Sequence, residues 1–166
     1  MSGAQSPFRV LIVCTGNTCR SPLAEASLKR RLGALIDRVE VGSAGVAAVD
    51  GAPASEGSLT VARSAGLDLE RHRSRRLSAA LLREQDLVLL MEPRDLARVR
   101  ARAPDLEASV LTLADFGRAG AGTEAVPDPF GQPIEAYEEC LRRIEDHLER
   151  VVSYIEAELR ERAIGA

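Results

Sequence analysis

VCTGNTCRSP, residues 13 to 22, closes the apolar run VLIV (10 to 13) and gathers two cysteines, two threonines, an arginine and a serine within ten positions. Three chemistries compete for such a cluster: a metal knuckle, a redox dithiol, and a loop that holds an anion against a nucleophile. A structural zinc site takes four ligands. Beyond Cys14 and Cys19 only Cys140, His72 and His147 remain as soft ligands, and Cys140 and His147 share one late segment. No metal is therefore expected. The C-x-x-C spacing of thioredoxin-like dithiols is absent, and so is the G-x-x-x-x-G-K of a nucleotide-binding loop.

The anion cradle has a mechanical logic. In a tight turn from a strand into a helix, successive backbone N–H groups converge on a tetrahedral anion, and the helix dipole adds positive potential there. Gly16 is expected to supply the unusual backbone dihedrals of that curve. Cys14, at the strand end and near Arg20, is expected to be an activated cysteine, its pKa drawn below the ordinary value of about 8.5. The planar fork of Arg20 suits capture of two phosphate oxygens. Ser21 can donate a hydrogen bond to the sulfur and so help it leave.

The rest of the chain supplies a matching scaffold. Its 166 residues, 45% hydrophobic, suit one packed domain spanning 1–166, with residues 1–7 expected to be a flexible N-terminus. A net charge of −3 gives no general attraction to nucleic acid or to an anionic membrane, so recognition of phosphate should be local. The basic segment from Arg71 to Arg76 has no interleaved aromatics, which argues against nucleic-acid binding. No stretch approaches the ~20 apolar residues of a membrane span, and FRVLIVC is too short for a secretory signal. Three cysteines, an odd number, fit a reducing compartment better than a disulfide framework. A soluble, cytoplasmic protein is expected.

Strand patterns occur at 8–14, 38–45, 86–91 and 109–113. Helix patterns occur at 22–32, opening on Pro22; near 54–65, stopping at Gly66; from Pro93 through PRDLARVRAR; and from 134 onward. In the last, Ile134, Tyr137, Leu141, Ile144, Leu148, Val151, Ile155 and Leu159 recur at three- and four-residue steps. Alternation of this kind predicts the α/β class: a single-domain, open, four-stranded parallel sheet with helices on both faces. Residues 117–133 form the one long Gly/Pro-rich loop, a length that is usually functional inside a compact domain.

CTGNTCRS is a C-x5-R-S loop that closely resembles the low-molecular-weight protein tyrosine phosphatases. The likeness continues through the helix start Pro22, Leu23, Ala24, Glu25, the SAG after the second strand, HRSRRLS, DLVLLM, and the late DPFG before a final long helix. It implies that family's fold, a four-stranded parallel sheet flanked by helices. It also implies a phosphatase acting on phosphorylated proteins through a phosphocysteine, without cofactor or metal, and expected to be a monomer.

Residue by residue, the resemblance makes Cys14 the nucleophile, Arg20 the clamp and Asp128 the general acid, with Thr15, Gly16, Asn17, Thr18 and Cys19 lining the phosphate. Asp128 in isolation is an ordinary turn aspartate; its place a hundred residues after the Cys loop gives it the catalytic reading. Asn17, Ser21, Ser43 and His72 match the hydrogen-bonded support of the loop. Tyrosine-directed members place a bulky aliphatic residue at position 18 and DPY after the acid. This chain has Thr18 and Phe130. Both features resemble the bacterial protein-arginine phosphatase branch, which makes phosphoarginine the expected substrate and phosphotyrosine the alternative. With no metal to bind, Cys19 is expected to be a reversible disulfide partner that protects Cys14 from over-oxidation. Two rivals remain. A thiol-coupled arsenate reductase requires two further redox cysteines in mid-chain, but no cysteine lies between 20 and 139. A non-enzymatic phosphate-binding module would not be expected to keep both nucleophile and acid.

Overall fold

Strand β1, Phe8–Cys14, sits between β2, Val39–Gly45, and β3, Leu87–Leu90, with β4, Ser109–Thr112, beyond β3. All three pairings are parallel. The computed structural model describes residues 6–117 and 125–165. The expected four-stranded sheet is thus present, in the order β2-β1-β3-β4. Residues 1–5 of the expected flexible terminus and 118–124 of the long loop lie outside the described residues.

Side-chain alternation along β1 divides the core. Val10, Ile12 and Cys14 join one apolar cluster, and Leu11 and Val13 join the other. The first cluster is covered by α1 (Arg20–Leu32), α2 (Glu56–Ser64) and α5 (Ile134–Ile164); the second by α3 (Ala79–Arg83) and α4 (Asp95–Arg102). Both faces of the sheet are covered, so its strands are nearly continuous hydrophobic runs.

The long helix buries the stripe its periodicity predicts, with one exchange. Tyr137, Leu141, Ile144, Leu148, Val151, Ile155 and Leu159 are buried; Ile134 stays partly exposed and Cys140 takes a core place. Truncating one of the fully buried members to alanine typically costs about 2 to 5 kcal/mol.

The first helix begins at Arg20 rather than at Pro22. Proline is tolerated there because backbone N–H groups of the first turn have no intrahelical acceptor to lose. The arginine of the Cys loop is thereby the first helical residue. The chain runs from β1 to β2 on one side and from β3 to β4 on the other, so connections diverge beside the carboxyl ends of β1 and β3. That is where open α/β sheets bind ligands. The Cys14–Arg20 loop leaves β1 at this point, and Glu92 follows β3 there.

Candidate active site

The loop is held by its backbone and by one asparagine. Val46 N donates to Cys14 O at 3.0 Å and Ala47 N to Thr15 O at 2.9 Å, so the segment after β2 lies along the start of the cradle. The left-handed residue of the curve is Asn17, with φ of 55°, and not Gly16 as expected. Asparagine tolerates that conformation when its side chain is hydrogen-bonded locally, and here it is fully engaged. Asn17 Nδ2 donates to Ser21 Oγ (2.8 Å) and Ser43 Oγ (2.9 Å), and its Oδ1 accepts from Arg75 N (2.9 Å). His72 Nε2 lies 2.7 Å from the Asn17 carbonyl oxygen, and the Ser43 hydroxyl donates to Glu25 Oε2 at 2.5 Å. The structure therefore brings Asn17, Ser21, Ser43 and His72 into one network.

Cys14 Sγ lies 2.9 Å from Ser21 Oγ and accepts from Asn17 N at 3.3 Å. Cys14 is only 2% exposed, and this burial pushes its thiol up. The Ser21 hydroxyl and backbone, the Arg20 guanidinium and the Asn17 amide pull the other way. The expected depression is not the net balance, because the cost of burying an anion outweighs the loop's polar contacts.

Arg20 is almost fully buried. Its Nη1 donates to Glu92 and, at 3.1 Å, to Val126 O; its Nη2 donates to Thr15 Oγ1 at 3.3 Å and lies 3.4 Å from Asp128 Oδ2. Its Nε has no partner among the described residues. The Glu92 side chain, held on its other oxygen by Arg94, is the counter-ion that fixes the fork. Asp128 also caps its own turn, with Phe130 N donating to its Oδ1 at 3.1 Å.

These groups line one cavity of about 360 Å³. Cys14, Thr15, Gly16, Thr18, Cys19 and Arg20 form its floor, and Asp128 stands on its wall. Apolar residues complete the lining: Ala47, Val49, Ala52 and Phe130, with Val49 77% and Phe130 68% exposed. Cys19 Sγ donates to Ser55 Oγ at 3.2 Å. All three cysteines are free. His147 is half-buried on α5, with its ring against the Arg143 carbonyl at 2.7 Å.

Three positions at the site escape sequence reasoning. Gly45 pairs with Cys14, and a Cβ there would lie 2.5 Å from Thr15 O and 2.9 Å from Asn17 N. Glu92 is legible only as a carboxylate just past the end of a central strand. Val49 is an isolated apolar residue in a loop until the fold brings it to the cavity that Phe130 also lines.

Fold and site together define a class: an α/β protein whose loop at a central strand's carboxyl end brings a buried thiol and an arginine to one cavity, with a carboxyl group beside them. The sequence profile described as low molecular weight phosphotyrosine protein phosphatase matches residues 9–162, and the chain belongs to that family, whose members are protein phosphatases. Among similar proteins, the tyrosine phosphatase Etp of Escherichia coli K12 is 36% identical over 143 residues, covering 86% of this chain and 91% of Etp. The protein-arginine-phosphatase of Geobacillus stearothermophilus is 35% identical over 153 residues, covering 92% of this chain and 99% of that one. The solved arginine phosphatase from the same organism superposes with a TM-score of 0.82 over 93% of this chain and 97% of that one, at 35% identity. Vibrio vulnificus Wzb in complex with benzylphosphonate gives 0.79 over 89% and 98%, at 29% identity.

Proposed function

We propose that the chain is a cysteine-dependent protein phosphatase that works through a phosphocysteine and acts on phosphoarginine in proteins. Cys14 passes its proton to a phosphoryl oxygen of the bound substrate and attacks phosphorus in line as the thiolate; the S–P bond forms, and the bond from phosphorus to the leaving nitrogen breaks as Asp128 gives that atom a proton. Arg20 and the loop amides carry the charge on the equatorial oxygens. Water then attacks phosphorus, Asp128 takes its proton, and Cys14 leaves as a thiolate supported by Ser21. Phosphate returns a proton to the Cys14 sulfur and is released, and the starting protonation is restored. No metal takes part.

The reading is carried by the convergence of Cys14, Arg20 and Asp128 on a single cavity whose floor includes Thr18. A hydroxyl at that position can hydrogen-bond a planar guanidinium, where a branched alkyl group packs better on a phenol ring. The apolar lining of Ala47, Val49, Ala52 and Phe130 supports phosphotyrosine as the second reading. Turnover of matched phosphoarginine and phosphotyrosine peptides by wild type and Thr18→Ile decides between them. Wild type is expected to prefer phosphoarginine and Thr18→Ile to shift toward phosphotyrosine; a wild-type preference for phosphotyrosine overturns the arginine assignment. Cys14→Ser is expected to bind phosphate without turnover.

We place the enzyme in the cytoplasm as a monomer. Peroxide is expected to oxidise Cys14 to a sulfenic acid, from which the Cys19 thiol displaces water to form a disulfide. Recovery of activity with a dithiol tests that protection.

A further inference from the structure

Val49 and Ala52 line the cavity, and both belong to the turn that follows β2, residues 46–52. A second segment, residues 71–77, is laced along that turn. Gly51 N donates to Ser74 O and Ser74 N to Ala52 O, each at 2.8 Å; Ala52 N donates to Ser74 Oγ at 3.0 Å, and the buried Ser74 hydroxyl donates to Val49 O. Arg76 N donates to Asp50 Oδ1 at 2.7 Å, and Leu77 N to Gly45 O at 2.9 Å. Hydrogen-bonded chains lie about 4.8 Å apart, so this segment runs one backbone width behind the cavity lining.

The segment carries Arg71, Arg73, Arg75 and Arg76, all exposed, and among the described residues none of the four holds a carboxylate. Elsewhere on the surface Arg63 pairs with Glu70, Arg83 with Asp105, and Arg142 with Glu139 and Asp146. Two of the four are turned to other work. Arg75 Nε donates to Ser43 O at 2.8 Å, and Arg71 lines a separate cavity of about 230 Å³ with Pro22 and Lys29. Arg73 and Arg76 remain. Arg73 Nη1 donates to the carbonyls of Glu70 (3.3 Å) and His72 (2.6 Å), which orient its fork without neutralising it, and the Arg76 side chain has no polar partner among the described residues. Asp50, the one carboxylate in 46–52 and 71–77, is met by a backbone N–H rather than by a guanidinium. In a chain of net charge −3, this concentration of unpaired positive charge beside the cavity is local.

We propose that Arg73 and Arg76 dock acidic residues of the protein substrate that flank its phosphorylated side chain. The inference deepens the reading of the cavity as the active site of a protein phosphatase and rests on that reading, whichever phosphoresidue enters. A phosphorylated side chain that reaches Cys14 brings its own backbone to the cavity mouth, beside the exposed Val49. An extended peptide advances about 3.4 Å per residue, so its next few side chains come level with the segment one backbone width behind. Carboxylates there meet guanidinium forks that lack an acidic partner. Such exposed pairs are weak singly, and their effect falls on encounter and register. A nucleic acid fits less well, since neither segment holds an aromatic residue on which a base could stack.

The test measures kcat/KM on peptides that share one phosphoresidue, the one wild type turns over faster, flanked by glutamate, glutamine or lysine. At low ionic strength wild type is expected to favour the glutamate peptide over the glutamine peptide by about tenfold and to disfavour the lysine peptide, with the preference falling below about twofold in about 0.5 M salt. The double variant Arg73→Gln/Arg76→Gln is expected to lose the preference. It should keep turnover of p-nitrophenyl phosphate, which has no flanks and reads the cradle alone, within about twofold of wild type. No glutamate preference in wild type overturns the proposal, and so does a preference that the double variant retains. If the double variant fails to fold, Arg73→Gln alone is expected to cut the preference by about threefold, and an unchanged preference overturns the proposal. A single-stranded oligonucleotide that inhibits wild type but not the double variant, without any glutamate preference, assigns the patch to nucleic acid and refutes docking of acidic peptide. Wild type that hydrolyses neither p-nitrophenyl phosphate nor any peptide refutes the phosphatase reading itself; turnover of all of them without regard to flanks refutes the docking alone.

Discussion

Glu92 holds Arg20 from behind: the carboxylate engages Nη1, and the Nη2 edge remains beside Thr15 and Asp128 at the cavity. The Arg20 side chain is 1% exposed and that of Glu92 11%, so the pair is largely shielded from water. Removing one member of such a pair leaves a buried charge without its counter-ion. Glu92→Gln keeps the shape and drops the charge, and it is expected to lower stability by roughly 3 kcal/mol, read as a lower urea midpoint at unchanged slope. It should also cut kcat by at least about tenfold, because the fork is no longer fixed. A variant with wild-type stability and kcat would show that Glu92 is not what orients Arg20.

Ser21 accepts from Asn17 Nδ2, which leaves its own hydroxyl hydrogen free to point at Cys14 Sγ 2.9 Å away. A donor to sulfur favours the anion, so its removal moves the Cys14 pKa upward. Ser21→Ala is expected to shift the pH dependence of Cys14 alkylation by iodoacetate to higher pH. It should also slow hydrolysis of the phosphocysteine, whose leaving group is the same sulfur, by about ten- to a hundredfold. Unchanged alkylation kinetics across the pH range would remove Ser21 from the support of the thiolate.

Gly45 faces the cradle backbone at the point where β2 pairs with the end of β1. A methyl group there, at 2.5 Å from Thr15 O and 2.8 Å from Ala48 Cβ, can be accommodated only by moving main chain. Gly45→Ala is expected to cost about 1 to 3 kcal/mol of stability and to weaken competitive inhibition by inorganic phosphate. The inhibition constant is the decisive readout, since a variant that is merely less stable would bind phosphate as wild type does.

The parts of the site that sequence made legible are those written locally. Cys14, Arg20 and Ser21 fall within eight residues, and a β-branched run before them fixes where they stand relative to the sheet. The expectation failed where neighbouring residues shared one backbone problem. Glycine is the ordinary solution to a left-handed turn, but Asn17 takes that role, because Ser21, Ser43, Arg75 and His72 converge on it from four places in the chain. The Cys14 expectation failed for a related reason, since local polar groups are visible in a sequence and the depth of burial is not. Glu92, Gly45 and Val49 reach the cradle or the cavity lining only after the fold has closed, and no spacing rule links them to position 14.

Cys140 offers a measurement of that burial. It lies in the core on α5, and burial pushes its thiol from an ordinary 9.0 up to about 12. A raised folded-state value means that the folded protein keeps the proton where the unfolded chain loses it. Stability from this thiol is complete below pH 9 and is lost as pH rises from 9 toward 12, at a slope of about 1.4 kcal/mol per pH unit. Cys140→Ala removes the titration. The variant is expected to start less stable, because the sulfur leaves a small cavity. Its deficit relative to wild type should then shrink as pH rises from 9, since only wild type has this stabilisation to lose. Cys14 and Tyr137, which are raised in the same direction, are present in both proteins and cancel in the difference. Urea unfolding of the two proteins at several pH values between 8 and 11 checks this; a difference that stays constant across the series would show that Cys140 titrates normally in the folded state.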